Sequence, residues 1–155
     1  MEDLCWSMLI LGIGNRHRGD DATGILAVEH LRSLGIAAEL CSGEPSELID
    51  AWTGTDDVIV IDAVVTGAPP GTIHLWDAAH PPAFATSAAS THGLGLAQAI
   101  ELARVMNSLP ARLRIYGIEG KNFEMGAAVS PEVAQSVEEV VRRIAAELRP
   151  GGTAL

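Results

Sequence analysis

The sequence predicts an α/β domain, a mostly parallel, twisted sheet of about five strands flanked by helices on both faces. Three observations carry that expectation. A buried-strand pattern, Met8 to Leu11, runs through a glycine-rich loop into a helical period. Asp57-Val-Ile-Val-Ile-Asp62-Ala63 is an unbroken Val/Ile core of the kind found in strands covered on both faces. Ser130-Pro131-Glu132-Val133 opens a final amphipathic helix. A chain of 155 residues can bury one sizeable core, and no linker-like stretch or long repeat divides it, so residues 1–155 are read as a single domain.

In chain order, Met8 to Leu11 is the first strand, and Ile25, Leu26, Leu31 and Leu34 set the apolar period of a helix that begins near Ala22. Ala37 to Cys41 reads as a second strand, after which Ser42-Gly-Glu-Pro-Ser turns the chain into a short helix ending near Trp52. The Val/Ile strand comes next, in the middle of the sheet, with Asp62 at its carboxyl end. Beyond the turn Gly67-Ala-Pro-Pro-Gly71, Thr72 to Trp76 alternates in the manner of a less buried edge strand. Asp77 to Ser90 is rich in Ala and Pro, has no period, and reads as a long surface loop. A helix from Gly93 to Met106, a fifth strand from Ala111 to Ile118 and a loop through Ala128 lead to the last helix. There Ser130 is the expected cap, and Val133, Val137, Val140, Val141, Ile144 and Leu148 make one apolar face.

Composition narrows the function. With 20 acidic against 10 basic residues the net charge is −10, which opposes nucleic-acid backbones and anionic membrane surfaces. The expected partner is therefore a protein, peptide, metal or small molecule, with no nucleic acid and no membrane. Every apolar run is strand-sized, too short to span a bilayer. Met1-Glu2-Asp3 lacks the basic start of a secretion signal, and Cys5 and Cys41 stand at no metal-ligand or redox spacing. The cytoplasm is the expected compartment, and the cysteines are read as small buried hydrophobes.

The glycine loop, Gly12-Ile-Gly14-Asn15-Arg-His-Arg-Gly19-Asp20-Asp21, is not a dinucleotide fingerprint. The third glycine of G-x-G-x-x-G falls on His17, and two carboxylates at a helix start repel phosphate. A cap needs one carboxylate, and Asp20 is assigned that role. Arg16-His17-Arg18 is read as a solvated loop tip.

Sites in α/β sheets lie at the carboxyl ends of strands, a rule that gathers Asp21, Asp62 and His92, the last in Ser90-Thr91-His92-Gly93. Two carboxylates and an imidazole suit nickel, zinc or iron and leave coordination positions open, where a carbonyl or a bound water is activated. Each residue also has a plain structural explanation: a helix cap for Asp21, loop ordering for Asp62, capping or packing at a helix start for His92. Ser42, Ser87, Ser90 and Ser130 lack a G-x-S-x-G elbow, which leaves a serine hydrolase without support. His74 and His80 read as surface residues, Lys121 has no assigned chemistry, and Glu119 and Glu124 read as solvated loop acids.

Taken as an ordered set, these motifs resemble the hydrogenase maturation proteases, endopeptidases that trim the C-terminus of the large subunit of nickel-iron hydrogenases. The likeness rests on Gly12-Ile-Gly14-Asn15 with Gly19-Asp20-Asp21 and Gly24, Val60-Ile61-Asp62-Ala63, Gly67-Ala-Pro-Pro-Gly71, Thr91-His92-Gly93, Ile115-Tyr116-Gly117-Ile118-Glu119, and Gly126 followed by Ser130-Pro131-Glu132-Val133. It implies an acid, Asp and His metal-binding triad at Asp21, Asp62 and His92, the first at a position where the family takes Glu or Asp. It also implies a nickel-dependent endopeptidase whose partner is the large-subunit precursor and whose nickel comes with that substrate, with no organic cofactor. Gly120 departs from the pattern, because many relatives carry Pro after the Ile-Glu pair. Rival readings are a non-catalytic chaperone for metal or precursor on the same scaffold, a nucleotide module, and a metallopeptidase with its own zinc.

Overall fold

The structure, a computed structural model, describes residues 8–78 and 91–148, the side chains of 91–94 excepted. Five strands and four helices are described, alternating except where β4 follows β3 directly: β1 (Met8–Ile13), α1 (Thr23–Ser33), β2 (Glu39–Cys41), α2 (Pro45–Trp52), β3 (Asp57–Val64), β4 (Ile73–Asp77), α3 (Thr91–Val105), β5 (Arg112–Glu119) and α4 (Pro131–Glu147). The strand order is β2-β1-β3-β5-β4, with parallel pairing except between β4 and β5. The alternating β4 segment is thus an edge strand, as its pattern implied. The Val/Ile strand β3 lies between β1 and β5, with Val58 through Val64 all buried.

Strand period and helix period agree on which residue faces which layer. Ile10, Ile59, Ile61, Tyr116 and Ile118 meet α1 and α4 on one face, where Val133, Val137, Val140, Val141 and Ile144 supply the α4 stripe. On the other face Leu11, Ile13, Val58, Val60, Leu113 and Ile115 meet α2 and α3 through Leu48, Trp52, Leu96 and Ile100. Cys41, buried in β2, belongs to that second layer. Cys5, His80, Ser87, Ser90 and most of the Asp77 to Ser90 stretch lie outside the described residues. Among the described residues no helix is long and apolar enough to cross a membrane.

One boundary differs in kind from the sequence expectation. A 3-10 turn over Gly19–Ala22 precedes α1, so Asp20 and Asp21 are inside a buried turn, each 4% exposed or less. The first turn of α1 is pressed against the sheet: a Cβ on Gly24 would stand 2.2 Å from the Ile13 carbonyl oxygen and 2.6 Å from that of Ile61, and one on Gly12 would stand 2.3 Å from the Gly24 carbonyl oxygen. The close helix-to-strand contact that a dinucleotide motif builds with its third glycine is made here by Gly24.

The order of the strands fixes where a site can form. From β1 the chain passes through α1 to β2 on one side, then through α2 to β3 on the other. That reversal parts the flanking helices and opens a crevice at the carboxyl ends of β1 and β3.

Candidate active site

Asp21 and Asp62 both stand at the strand ends that bound this switch point. Asp21 follows β1 in the 3-10 turn, 4% exposed, where its carboxylate lies 3.8 Å from the Arg18 guanidinium and its carbonyl accepts the Asn15 amide at 2.9 Å. Asp62 is fully buried two residues before the end of β3, and its Oδ1 accepts the Ala63 amide at 2.8 Å. The turn that carries Asp21 packs against β3. With period two, Asp62 shares the face of Val58 and Val60, the side covered by α2 and α3. His92 lies in the first turn of α3, which begins at Thr91, two residues ahead of the sequence expectation. Its side chain is outside the described residues, and so is the meeting of the three groups. Three residues further along α3, a Cβ on Gly95 would stand 2.3 Å from the Gly43 carbonyl oxygen, so that helix start sits close above the exit of β2. Asp21 and Asp62 thus stand at the carboxyl ends of β1 and β3, and His92 at the head of α3, which covers the face that Asp62 shares.

Asp20, assigned as a helix cap, is not one. Neither the 3-10 turn nor α1 has a side-chain cap hydrogen bond. The Asp20 carboxylate is fully buried and reaches across the molecule to the β5–α4 loop, where it accepts the amides of Lys121 (2.7 Å), Asn122 (2.9 Å) and Ser130 (2.7 Å) and the Ser130 hydroxyl (2.8 Å). Burial by itself would raise its pKa, but the amides of Ser130, Asn122 and Lys121 and the Ser130 hydroxyl outweigh that cost and hold it below its ordinary 3.8. Ser130 stands at the N-cap position of α4, as expected, yet its hydroxyl serves Asp20 instead of the helix.

Glu119 corrects a second expectation. It is 2% exposed at the end of β5, not solvated in a loop. Its carboxylate accepts the Thr66 hydroxyl and amide, both at 2.7 Å, and the Gly67 amide at 3.2 Å, and lies 3.1 Å from His74 Nε2. Burial raises its pKa, while the Thr66 hydroxyl and amide, His74 and the Gly67 amide more than reverse the effect, leaving it below its ordinary 4.5. Through these bonds Glu119 fixes the loop that leaves β3, just past Asp62. His74 is only 21% exposed and stacks on Trp76 at 4.8 Å, so it is a packed residue and not a surface one. Glu124 and the Arg16 to Arg18 tip are solvent-facing as read, with Arg16 on Glu29 at 2.6 Å.

Gly120 lies between these two anchors. Its amide donates to the Val64 carbonyl at 3.0 Å, a bond that the Pro of many relatives cannot make. The departure from the motif therefore buys a backbone tie between β5 and the end of β3. Neither Asp20 nor Glu119 was legible as an anchor, because their partners are remote in sequence, 110 residues away for Asp20 and Ser130 and 53 for Glu119 and Thr66. The sole local signal was the Asp pair itself, one acid more than a cap requires.

The sequence and the fold are matched by known proteins. A family model described as hydrogenase maturation protease matches residues 43–147. The Hydrogenase 2 maturation protease of Escherichia coli K12 is 30% identical over 151 residues, covering 94% of this chain and 92% of its own. The hydrogenase maturating endopeptidase HybD from E. coli superposes with a TM-score of 0.79 at 29% identity, over 95% of this chain and 94% of that one. The solution structure of an endopeptidase from Escherichia coli gives 0.83 at 27% identity, over 96% and 95%. Sequence family, full-length relative and solved folds agree, and the chain belongs to the hydrogenase maturation protease family.

Proposed function

We propose that this chain is an endopeptidase that removes the C-terminal extension of a nickel-loaded nickel-iron hydrogenase large-subunit precursor in the cytoplasm, with the precursor's nickel as its recognition element. The family supports proteolytic processing of a hydrogenase precursor. The observation that carries the finer reading is the burial of Asp21 and Asp62 at the β1/β3 crevice, beside the helix start that bears His92. Carboxylate and imidazole together suit nickel, and three protein donors leave positions for ligands that the precursor brings.

In this reading Asp21, Asp62 and His92 complete the coordination of nickel that is already seated in the precursor. The metal is substrate, so an unloaded precursor offers nothing for the three donors to grip. Binding then fixes the C-terminal extension in the crevice, and the scissile peptide bond is presented to water in one orientation, which removes much of the entropic cost of attack. The loop from Gly12 to Gly19 forms one wall, the Glu119-anchored loop after β3 another.

The test is the intact mass of a purified large-subunit precursor, with and without nickel, after incubation with the protein. Loss of a C-terminal peptide in the nickel-loaded sample alone is the expected result. Cleavage without nickel would remove the recognition role, and a stable complex with unchanged mass would replace the peptidase by a chaperone.

A further inference from the structure

Asp20 adjoins a proposed ligand, yet every oxygen it owns is turned away from that role and into the protein. Its carboxylate takes four donors from one distant segment: the amides of Lys121, Asn122 and Ser130 and the Ser130 hydroxyl. The backbone repeats the tie, since the Asp20 amide donates to the Asn122 carbonyl at 2.8 Å and the Gly126 amide donates to the His17 carbonyl at 2.8 Å. The approach is close: a Cβ on Gly19, which has φ +57, would stand 2.3 Å from the Asn122 carbonyl oxygen, and one on Gly120 would stand 3.2 Å from the Asp20 Cβ. A surface cap needs none of this.

We infer that Asp20 is a positioning residue that sets the Asp21 carboxylate at the crevice by clamping its turn to the β5–α4 loop. The inference rests on the reading of Asp21 as a metal-binding residue. The mechanical argument is short. Asp21 shares a peptide bond with Asp20, its amide is held by the Arg18 carbonyl at 3.0 Å, and its carbonyl is held by the Asn15 amide. Asp20 is the only member of this turn whose side chain, among the described residues, is bonded to the β5–α4 loop. A buried carboxylate with four charge-assisted donors is a stiff anchor, because losing one acceptor strands an amide away from water. In Asp20→Asn one oxygen becomes an NH2 that faces N–H or O–H donors, so the clamp opens while the volume is kept. Ser130→Ala removes one donor and leaves the three amides, and Ser130→Thr restores the hydroxyl.

The experiment measures kcat and KM for processing of nickel-loaded precursor, together with the Asp21 side-chain carboxyl signal by 13C NMR in the precursor-free protein. In Asp20→Asn kcat falls by about 10- to 100-fold with KM changed by less than about threefold, the signature of misplacement on the scale of an ångström. Ser130→Ala lowers kcat by about threefold and shifts the Asp21 carboxyl signal, and Ser130→Thr returns both. A folded Asp20→Asn protein with wild-type kcat and an unmoved Asp21 signal overturns the inference. So does a Ser130→Thr protein as impaired as Ser130→Ala, and the Ser130 pair decides the matter if Asp20→Asn fails to fold. The NMR signal reports the clamp even if Asp21→Ala processes precursor normally, a result that would instead sink the ligand reading of Asp21.

Discussion

The two ends of the sheet hold their acids differently: partly exposed acids paired with arginines at one end, buried Asp20 and Glu119 held mainly by amides and hydroxyls at the other. At the amino end, Asp57 of β3 and Glu147 of α4 meet arginines: Arg114 lies 2.6 Å from Glu147 and 3.5 Å from Asp57, with Arg112 within 3.8 Å of both. At the carboxyl end, Asp20 is held by backbone amides and a hydroxyl, and Glu119 by amides, a hydroxyl and an imidazole. Guanidinium partners cancel charge; amide and hydroxyl donors stabilise a carboxylate and leave its charge in place. The amino end is a neutralised seam that ties α4 to β5, whereas the carboxyl end keeps the negative charge of Asp20 and Glu119 in place.

The sharpest way to break this contrast is to remove charge from each end. Asp62→Asn keeps shape and loses a carboxylate in the crevice. Processing of nickel-loaded precursor is expected to fall by at least about 100-fold, with the melting temperature kept, as site acids are held for function and not for stability. Wild-type turnover in a cleavage assay would take Asp62 out of the site. Arg114→Ala acts at the other end, where the side chain is 11% exposed, and leaves Asp57 and Glu147 without their buried partner. A loss of about 1–2 kcal/mol in urea unfolding is expected, since both acids keep solvent and Arg112, with kcat unaltered in the folded fraction. The neighbouring Arg112 is 58% exposed, so Arg112→Ala should cost under about 0.5 kcal/mol.

Glu119→Gln sharpens the comparison by pH. Its folded pKa lies below the ordinary 4.5, so its contribution is complete above that value and fades as pH falls through the folded one. Wild type is expected to exceed Glu119→Gln by about 1–2 kcal/mol near pH 7, and the gap should narrow in urea melts only as pH falls below 4.5 and through the lower folded pKa. His74 is the titratable side chain facing Glu119 among the described residues, and a His74→Gln background separates its part from that of Thr66 and Gly67. A gap that stays constant with pH would mean that the carboxylate charge has no part in holding the loop.

Layering was legible because it is written in local periods. The Val/Ile run of β3 announced a strand covered on both faces, the alternation at Thr72 to Trp76 announced an edge, and Ser130-Pro131-Glu132 announced α4. The strand-end positions of Asp21 and Asp62 were legible for a related reason: strand ends can be counted along the chain, and α/β topology brings strand ends together. The misreadings share one cause. Asp20 looked like a cap and Glu119 like a solvated loop acid, because their sequence neighbours showed no remote partner, and Ser130, at the N-cap position expected for it, gives its hydroxyl to Asp20. Their actual partners lie across the sheet top and become available only once β1, β3 and β5 are side by side.

The sequence by itself determined the class of fold, the order of elements and the candidate ligands, since hydrophobic period, helix-start chemistry and motif order are properties of consecutive residues. Tertiary structure alone decided which acids brace the loops at the carboxyl end of the sheet. A carboxylate's role is set by the donors that surround it after burial, and for Asp20 those donors come from residues 121–130, brought into reach by the packing of β5 and α4 against the turn after β1.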